Sequence, residues 1–257
     1  EDNESNLIVA RTQLERVGLD VVTACDGQQV LDLLATESVD LVLMDCQMPI
    51  LDGFEATAAL RKRETAGERL PVIALTANAM KGDRERCVAA GMDDYLAKPY
   101  TGEALFAVLA HWLPAERRKS AAVGNTPQQV RPEGLNNDAS PLAPDALEKI
   151  RALSPDNAAV LVGQVLAAYL KAADREWALF DQGLSDGDAS MLARAAHALK
   201  SSSFNVGANG LAERCGEIEQ LGRDGQMRQL LTRVDGLRAE WKRVEAALKA
   251  QLAGLGW

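Results

Sequence analysis

Apolar positions along residues 4–113 alternate between two periods. Leu7, Ala10, Leu14 and Val17 recur at intervals of three and four, the stripe of an amphipathic helix, and Gly18 follows where a left-handed cap belongs. A strand is predicted next at 20–24, around Val21 and Val22. Leu31 and Leu34 mark a second helix, and Val39 to Met44 is nearly continuous in apolar residues, as expected of a strand covered on both faces. The alternation then repeats with helix 54–64, strand 71–75, helix 82–90, strand 94–97 and helix 102–113. Strands separated by short helices pair in parallel through right-handed crossovers, so this region is predicted to be an α/β doubly wound parallel sheet.

The pattern changes at Pro114. Five of the nine prolines (Pro114, Pro127, Pro132, Pro141 and Pro144) fall within 31 residues, among Gly, Asn, Ser and Gln and with little apolar periodicity. That composition predicts a flexible linker over 115–144. Beyond it only helical periods occur, at 145–153, 156–183, 188–206, 208–222 and 226–252, joined by short turns. Long helices with short connections predict an antiparallel all-α bundle over 145–254. A chain of 257 residues suits two domains with separate cores, here 1–114 and 145–254.

Charge narrows the function. A net charge of −9 and a pI near 4.9 oppose contact with a polyanion, so nucleic acid is not an expected partner. The longest mostly apolar stretch, Ala158 to Leu170, contains Gly163 and Gln164 and is too short for a membrane span. The amino terminus is acidic, unlike a secretory leader. The four cysteines show no Cys-x-x-Cys spacing and read as reduced packing residues. A cytoplasmic location is expected, with a parent protein that is membrane-anchored or not.

Candidate chemistry gathers where strands end. Asp45, Thr76 and Lys98 each close a predicted strand, and Glu1-Asp2 precede the first helix; the carboxyl ends of parallel strands share one edge, where such residues converge. Carboxylates about 4 Å apart repel by roughly 4 kcal/mol per pair at an effective dielectric near 20, which a hard cation relieves. Mg2+ suits Asp2, Asp45 and an incoming phosphoryl oxygen. With charge so neutralised, Asp45 is placed to attack phosphorus in line. For each residue alone, the plainer reading is that it ends a strand.

Taken with Pro49, Asp52-Gly53 and Lys98-Pro99, the set resembles the receiver domain of two-component response regulators over about 1–115. The resemblance implies a flavodoxin-like sheet in which Asp45 is the phosphorylated aspartate. Glu1 and Asp2 would be the acidic pair, with Asp2 the direct metal ligand. Thr76 and Lys98 would contact the phosphoryl group, Thr76 and Tyr95 would form the switch, and Lys98-Pro99 would be a cis peptide. The first receiver strand, expected just before the acidic pair, is missing, so a longer parent protein is expected.

His197 is one of two histidines. Leu192, Ala196, Leu199, Ser203 and Val206 form the apolar stripe of its helix, and His197 is expected roughly 150° from the stripe's centre, facing solvent. Lys200 lies one turn on and Ser201 leaves room for a phosphoryl group. A lone His-x-x-Lys is ordinarily a chance surface pair. His-Ala-Leu-Lys-Ser-Ser, Gly207 and the segment Leu211–Glu219 together, however, resemble the histidine-containing phosphotransfer domain over about 145–250. This implies an all-α four-helix bundle with His197 as phosphoacceptor and Lys200 as the cation beside it. Phe204, on the same face, is either a docking contact or turned into the bundle. His111 beside Trp112 reads as structural.

The expected function is a phosphorelay segment, the tail of a hybrid sensor histidine kinase. Asp45 takes phosphate from an upstream kinase phosphohistidine, and His197 passes it to or from a receiver of a downstream response regulator. Asp45, Thr76, Lys98, His197 and Lys200 form the catalytic set. No Walker-type loop or kinase nucleotide-binding segment is found, so the chain itself is not expected to use ATP. One rival is a docking scaffold controlled by phosphorylation of Asp45. Another is an aspartate-nucleophile phosphatase, which needs an acid two residues on, where Gln47 stands.

Overall fold

The computed structural model describes residues 1–65, 69–76, 81–113 and 140–257, and the side chains of 81–83 are left aside. Two compact units divide the chain: Glu1–Asp2 with Gln13–Gln129, and Asn3–Thr12 with Val130–Trp257. The predicted linker lies almost wholly outside the described residues, apart from 140–144.

The first unit runs α1 (Glu4–Arg16), α2 (Gly27–Leu33), β1 (Val42–Asp45), α3 (Gly53–Arg63), β2 (Val72–Thr76), α4 (Lys81–Ala90), β3 (Asp94–Ala97) and α5 (Gly102–Trp112). The division between units passes through α1. Local sequence sets most boundaries. Asp26 caps α2 through Gln29 N, Asp52 and Glu55 form a capping box on α3, and Thr101 caps α5 through Ala104 N. Gly18, at φ 77°, ends the first helical pattern.

β1, β2 and β3 form one parallel sheet in that order, with Asp45 opposite Leu75 and Thr76 opposite Ala97. Alternation across the pleat sends side chains to two cores. Met44, Val72 and Ala74 pack with Leu31, Ala56, Leu60 and Cys87 of α2, α3 and α4. Leu75 and Leu96 pack with Leu14 of α1 and Leu105 and Leu109 of α5. The fold is thus the expected doubly wound, flavodoxin-like parallel sheet.

The strand predicted at 20–24 does not form; these residues have no regular secondary structure. Strands need a backbone partner, and among the described residues none pairs with this segment or with the outer edge of β1. Val39–Asp40 likewise stay outside β1, which begins at Val42.

The second unit is helical: α6 (Pro144–Leu153), a 3₁₀ turn at Pro155–Asn157, α7 (Ala158–Asp186), α8 (Ala189–Asn205), α9 (Asn209–Arg223) and α10 (Met227–Leu255). α7 to α10 form the four-helix bundle, each packing on the next and α10 on α7, while α6 lies on α7. Its core holds Tyr169, Phe180, Leu192, Leu199, Leu211, Ile218, Leu237 and Val244. Gly187 and Gly207, at φ 66° and 79°, end α7 and follow α8. At Gly222 a Cβ would meet Ala189 O at 2.7 Å and Ala193 Cβ at 2.9 Å, so α8 and α9 approach closely there.

Gly53 is the tightest point of the first unit, because a Cβ there would lie 2.0 Å from Asp45 O. Gly53→Ala is expected to destabilise that unit by about 2–3 kcal/mol, seen as a lower denaturant midpoint. Gly254→Ala, inside α10 with nothing within 4 Å of the new Cβ, should be neutral or slightly stabilising.

Candidate functional site

The sheet carries the first site at its carboxyl edge. Cys46 N donates to Leu75 O at 3.1 Å and Lys98 N to Thr76 O at 2.7 Å, so the ladder continues one residue past β1 and β3 and aligns Asp45, Thr76 and Lys98. The Lys98-Pro99 peptide is cis. Lys98 Nζ donates to Asp45 Oδ2 and to Glu1 Oε2, each at 2.5 Å, and Gln47 N donates to Asp45 Oδ1 at 3.1 Å. Carboxylate oxygens of Glu1, Asp2 and Asp45 lie within 4.8 Å of one another. The acidic cluster inferred from separated segments is therefore one site.

Its electrostatics follow from burial and crowding. Burial pushes the Asp45 carboxyl up, but the Lys98 ammonium and the hydrogen bonds from Lys98 and Gln47 outweigh it and hold it below the usual range. Lys98, although buried, is pushed above its ordinary value by Asp45 and Glu1. Asp2 is raised to about 6 by burial and then by the charges of Glu1 and Asp45. One ammonium does not neutralise three carboxyls, and hard oxygen donors this close match a small divalent cation.

Thr76 is buried at the end of β2. Tyr95 is not brought to the carboxylates by any described contact; it packs, partly buried, against the core beneath α2, α3 and α4. The sequence reading missed Tyr100, whose phenol is pushed up to about 12, chiefly by burial, and which feels the charges of Lys98, Glu1 and Asp45. Its place directly after Lys98-Pro99 was the available signal.

The second site lies in the bundle. Glu219 of α9 accepts from three groups: His197 Nδ1 at 2.8 Å, Lys200 Nζ at 3.2 Å and Arg223 Nη2 at 2.5 Å. His197 is consequently not the solvent-facing residue expected from its helical wheel; its side chain is only 12% exposed. The wheel measures position on α8 alone, whereas α9 packs alongside and covers one ring edge. Ser203, assigned to the apolar stripe, is buried with its hydroxyl on Tyr169 OH at 2.9 Å and Leu199 O at 2.6 Å. Ser202 bonds back to Ala198 O at 3.0 Å.

Glu219 was missed as well. The buried stripe of α9 runs Leu211, Cys215, Ile218, Gly222, and Glu219 interrupts it with a carboxylate four residues before an arginine. A charge on a buried stripe needs partners, and that was the legible signal. Burial pushes its carboxyl up, but the hydrogen bond and charge of His197, then Lys200 and Arg223, bring it down to about 2. His111 stacks edge-on to Trp112 with ring centroids 5.3 Å apart, and Trp112 Nε1 donates to Asp94 Oδ2 at 2.9 Å, a packing arrangement.

Known families account for both sites. Residues 1–110 match the response regulator receiver domain and residues 164–247 the Hpt domain. The chain therefore carries a receiver domain followed by an Hpt domain, a pairing that supports phosphorelay signal transduction. It is 32% identical over 223 residues to the sensor protein GacS of Pseudomonas syringae pv. syringae, covering 86% of this chain and 24% of that protein. It is 29% identical over 260 residues to the aerobic respiration control sensor protein ArcB of Escherichia coli K12, covering 98% of this chain and 31% of that protein. Among solved structures it is similar to the receiver domain of sensor histidine kinase PA1611 from Pseudomonas aeruginosa PAO1. That structure has a magnesium ion coordinated in its active-site cleft; identity is 46%, coverage 44% of this chain and 91% of that one, and the TM-score 0.41. The chain spans less than a third of the length of these two curated relatives. Among the described residues no helix is long and apolar enough to cross a membrane.

The Glu219 cluster makes stability depend on acid. Its carboxyl falls from an ordinary 4.5 to about 2 in the folded chain, so the unfolded state binds more protons between those values. The stabilisation is complete above about pH 4.5 and is lost as pH falls through about 2. Glu219→Gln should cost the bundle about 3 kcal/mol at pH 7 and flatten this acid limb, measured by urea unfolding at pH 3 and pH 7.

Proposed function

We propose that residues 1–114 act as the receiver, 115–144 as a tether and 145–254 as the phosphotransfer bundle of a relay within a hybrid sensor histidine kinase, working on the cytoplasmic side. The observation that carries this reading is the contact of Lys98 Nζ with Asp45 Oδ2 and Glu1 Oε2, which leaves a nucleophilic carboxylate ionised beside a fixed cation. An Asp45 carboxylate oxygen attacks the phosphorus of an upstream phosphohistidine in line, and the P–N bond to the donor imidazole breaks as the P–O bond forms. Lys98 stays paired with the acyl phosphate and balances its added charge. Thr76, one strand over, supplies a hydroxyl to a phosphoryl oxygen, and Tyr95 reports the change through the core it packs on.

Glu1, Asp2 and Asp45 would hold Mg2+, whose contribution is to offset negative charge on the transferring phosphoryl group. His197 is the second acceptor. With Nδ1 engaged by Glu219, Nε2 is the free nucleophile, and it takes phosphorus from Asp45 phosphate with release of the carboxylate. Lys200 and Arg223, both paired to Glu219, balance the phosphoryl charge in this reading. A downstream receiver aspartate is the next acceptor.

Acetyl phosphate tests the relay. The full chain is expected to show base-labile label on Asp45 and acid-labile label on His197. His197→Gln should remove only the second, Asp45→Asn should remove both, and Lys98→Ala should slow loading about 100-fold. Label that stays on Asp45 and never reaches His197, beside a competent acceptor regulator, would support the docking-scaffold reading instead. For the metal, Asp2→Asn should weaken Mg2+ binding at least about tenfold in calorimetry, a difference of ~1.4 kcal/mol; unchanged affinity would place the ion elsewhere.

A further inference from the structure

The turn joining the phosphoacceptor strand to α3 adopts a conformation that its own sequence opposes. Ile50 has φ 67° and is the only non-glycine residue with positive φ among those described. A β-branched side chain in that region crowds its own backbone. Ile50 is also 84% exposed, more than any other large apolar side chain described. Strain and exposed apolar surface both work against folding, so neither is explained by the stability of the receiver.

The turn is nonetheless firmly framed. Leu51 N donates to Pro49 O at 2.7 Å, Gly27 N to Leu51 O at 3.0 Å and Gly53 N to Cys46 O at 3.3 Å. A Cβ on Gly27 would come within 2.5 Å of Leu51 O, so the close approach requires glycine. Between Asp45 and Ile50, Met48 Sδ lies 3.3 Å from the Glu1 nitrogen, which ties this turn to the carboxylate site. An apolar side chain is thus held outward at the rim of the phosphoacceptor.

The bundle offers a counterpart. Phe204 lies seven positions after His197 on the same face of α8, is only partly buried, and stands outside the core formed by Leu192, Ala195, Ala196 and Leu199 of that helix. The charges also complement: Glu1, Asp2 and Asp45 at one site, Lys200 and Arg223 beside His197 at the other. A phosphohistidine reaches Asp45 only when the helix carrying it comes down onto this rim. A small donor such as acetyl phosphate needs no such approach.

We infer that Ile50 is a docking residue of the receiver, seated against Phe204 of a second copy of this chain when that copy's His197 is phosphorylated. The inference rests on the phosphorelay reading above. It assigns Ile50 to recognition of the macromolecular donor and not to the chemistry at Asp45.

The full chain carrying Asp45→Asn, loaded on His197 with phosphoramidate and then freed of it, serves as donor. The full chain carrying His197→Gln is the acceptor, with Ile50→Gly or Ile50→Asn added, both of which tolerate left-handed backbone. KM for the phosphorylated donor should rise about tenfold with kcat little changed, the loss of one buried apolar side chain. Loading by acetyl phosphate should be unchanged, and Tm equal or higher because strain is relieved. Phe204→Ser in the donor should give the same rise, and the two changes together no more than either alone. An unchanged KM, additive effects, equal slowing with acetyl phosphate, or no transfer between copies even with Ile50 intact would each overturn the proposal. Failure of acetyl phosphate to label Asp45 at all would instead sink the phosphorelay reading.

Discussion

One ammonium shared by two carboxylates organises the receiver site. Lys98 Nζ lies 2.5 Å from both Asp45 and Glu1, and all three side chains are largely withdrawn from water. Removing charge from water is costly, and such an arrangement persists only when opposite charges meet with good hydrogen-bond geometry. The parallel ladder supplies that geometry: Lys98 N on Thr76 O and Cys46 N on Leu75 O carry the register of the sheet into the site. The third carboxyl, Asp2, is raised to about 6, first by burial and then by the charges of Glu1 and Asp45 beside it.

The bundle solves the inverse problem. A single buried carboxylate, Glu219, is surrounded by His197, Lys200 and Arg223. Lys200 and Arg223 answer a carboxylate charge that burial would otherwise make costly. Close contact of α8 and α9 at Gly222 makes this possible by letting the two helices approach near the cluster. The receiver thus presents excess negative charge with a metal-suited oxygen set, and the Hpt domain presents a histidine among cations.

Much of this was legible in residue order. Apolar period located the helices to within a few positions, and the structure shows Asp26, Asp52, Thr101 and Asp188 capping them through bonds to residues two or three positions on. Strand-end placement brought Asp45, Thr76 and Lys98 to one edge because parallel strands with crossover helices have little topological freedom. The predicted strand at 20–24 failed because strand formation is a property of a pair, and period alone carries no information about the partner. His197 was misjudged for a related reason: a helical wheel knows the axis of its own helix and nothing of its neighbours.

By itself, the sequence determined the alternation of strands and helices and the all-helical second domain, and it singled out Asp45 and His197 as candidate phosphate acceptors, because these depend on local periodicity and short motifs. Tertiary structure decided that Glu219 and Arg223 join His197 and Lys200, that Tyr100 feels the carboxylates, and that Ile50 stands outward on a left-handed turn. Each of those rests on contacts between segments far apart in the chain or on a backbone angle imposed by them. Side-chain type signals such contacts only weakly, whereas packing specifies them.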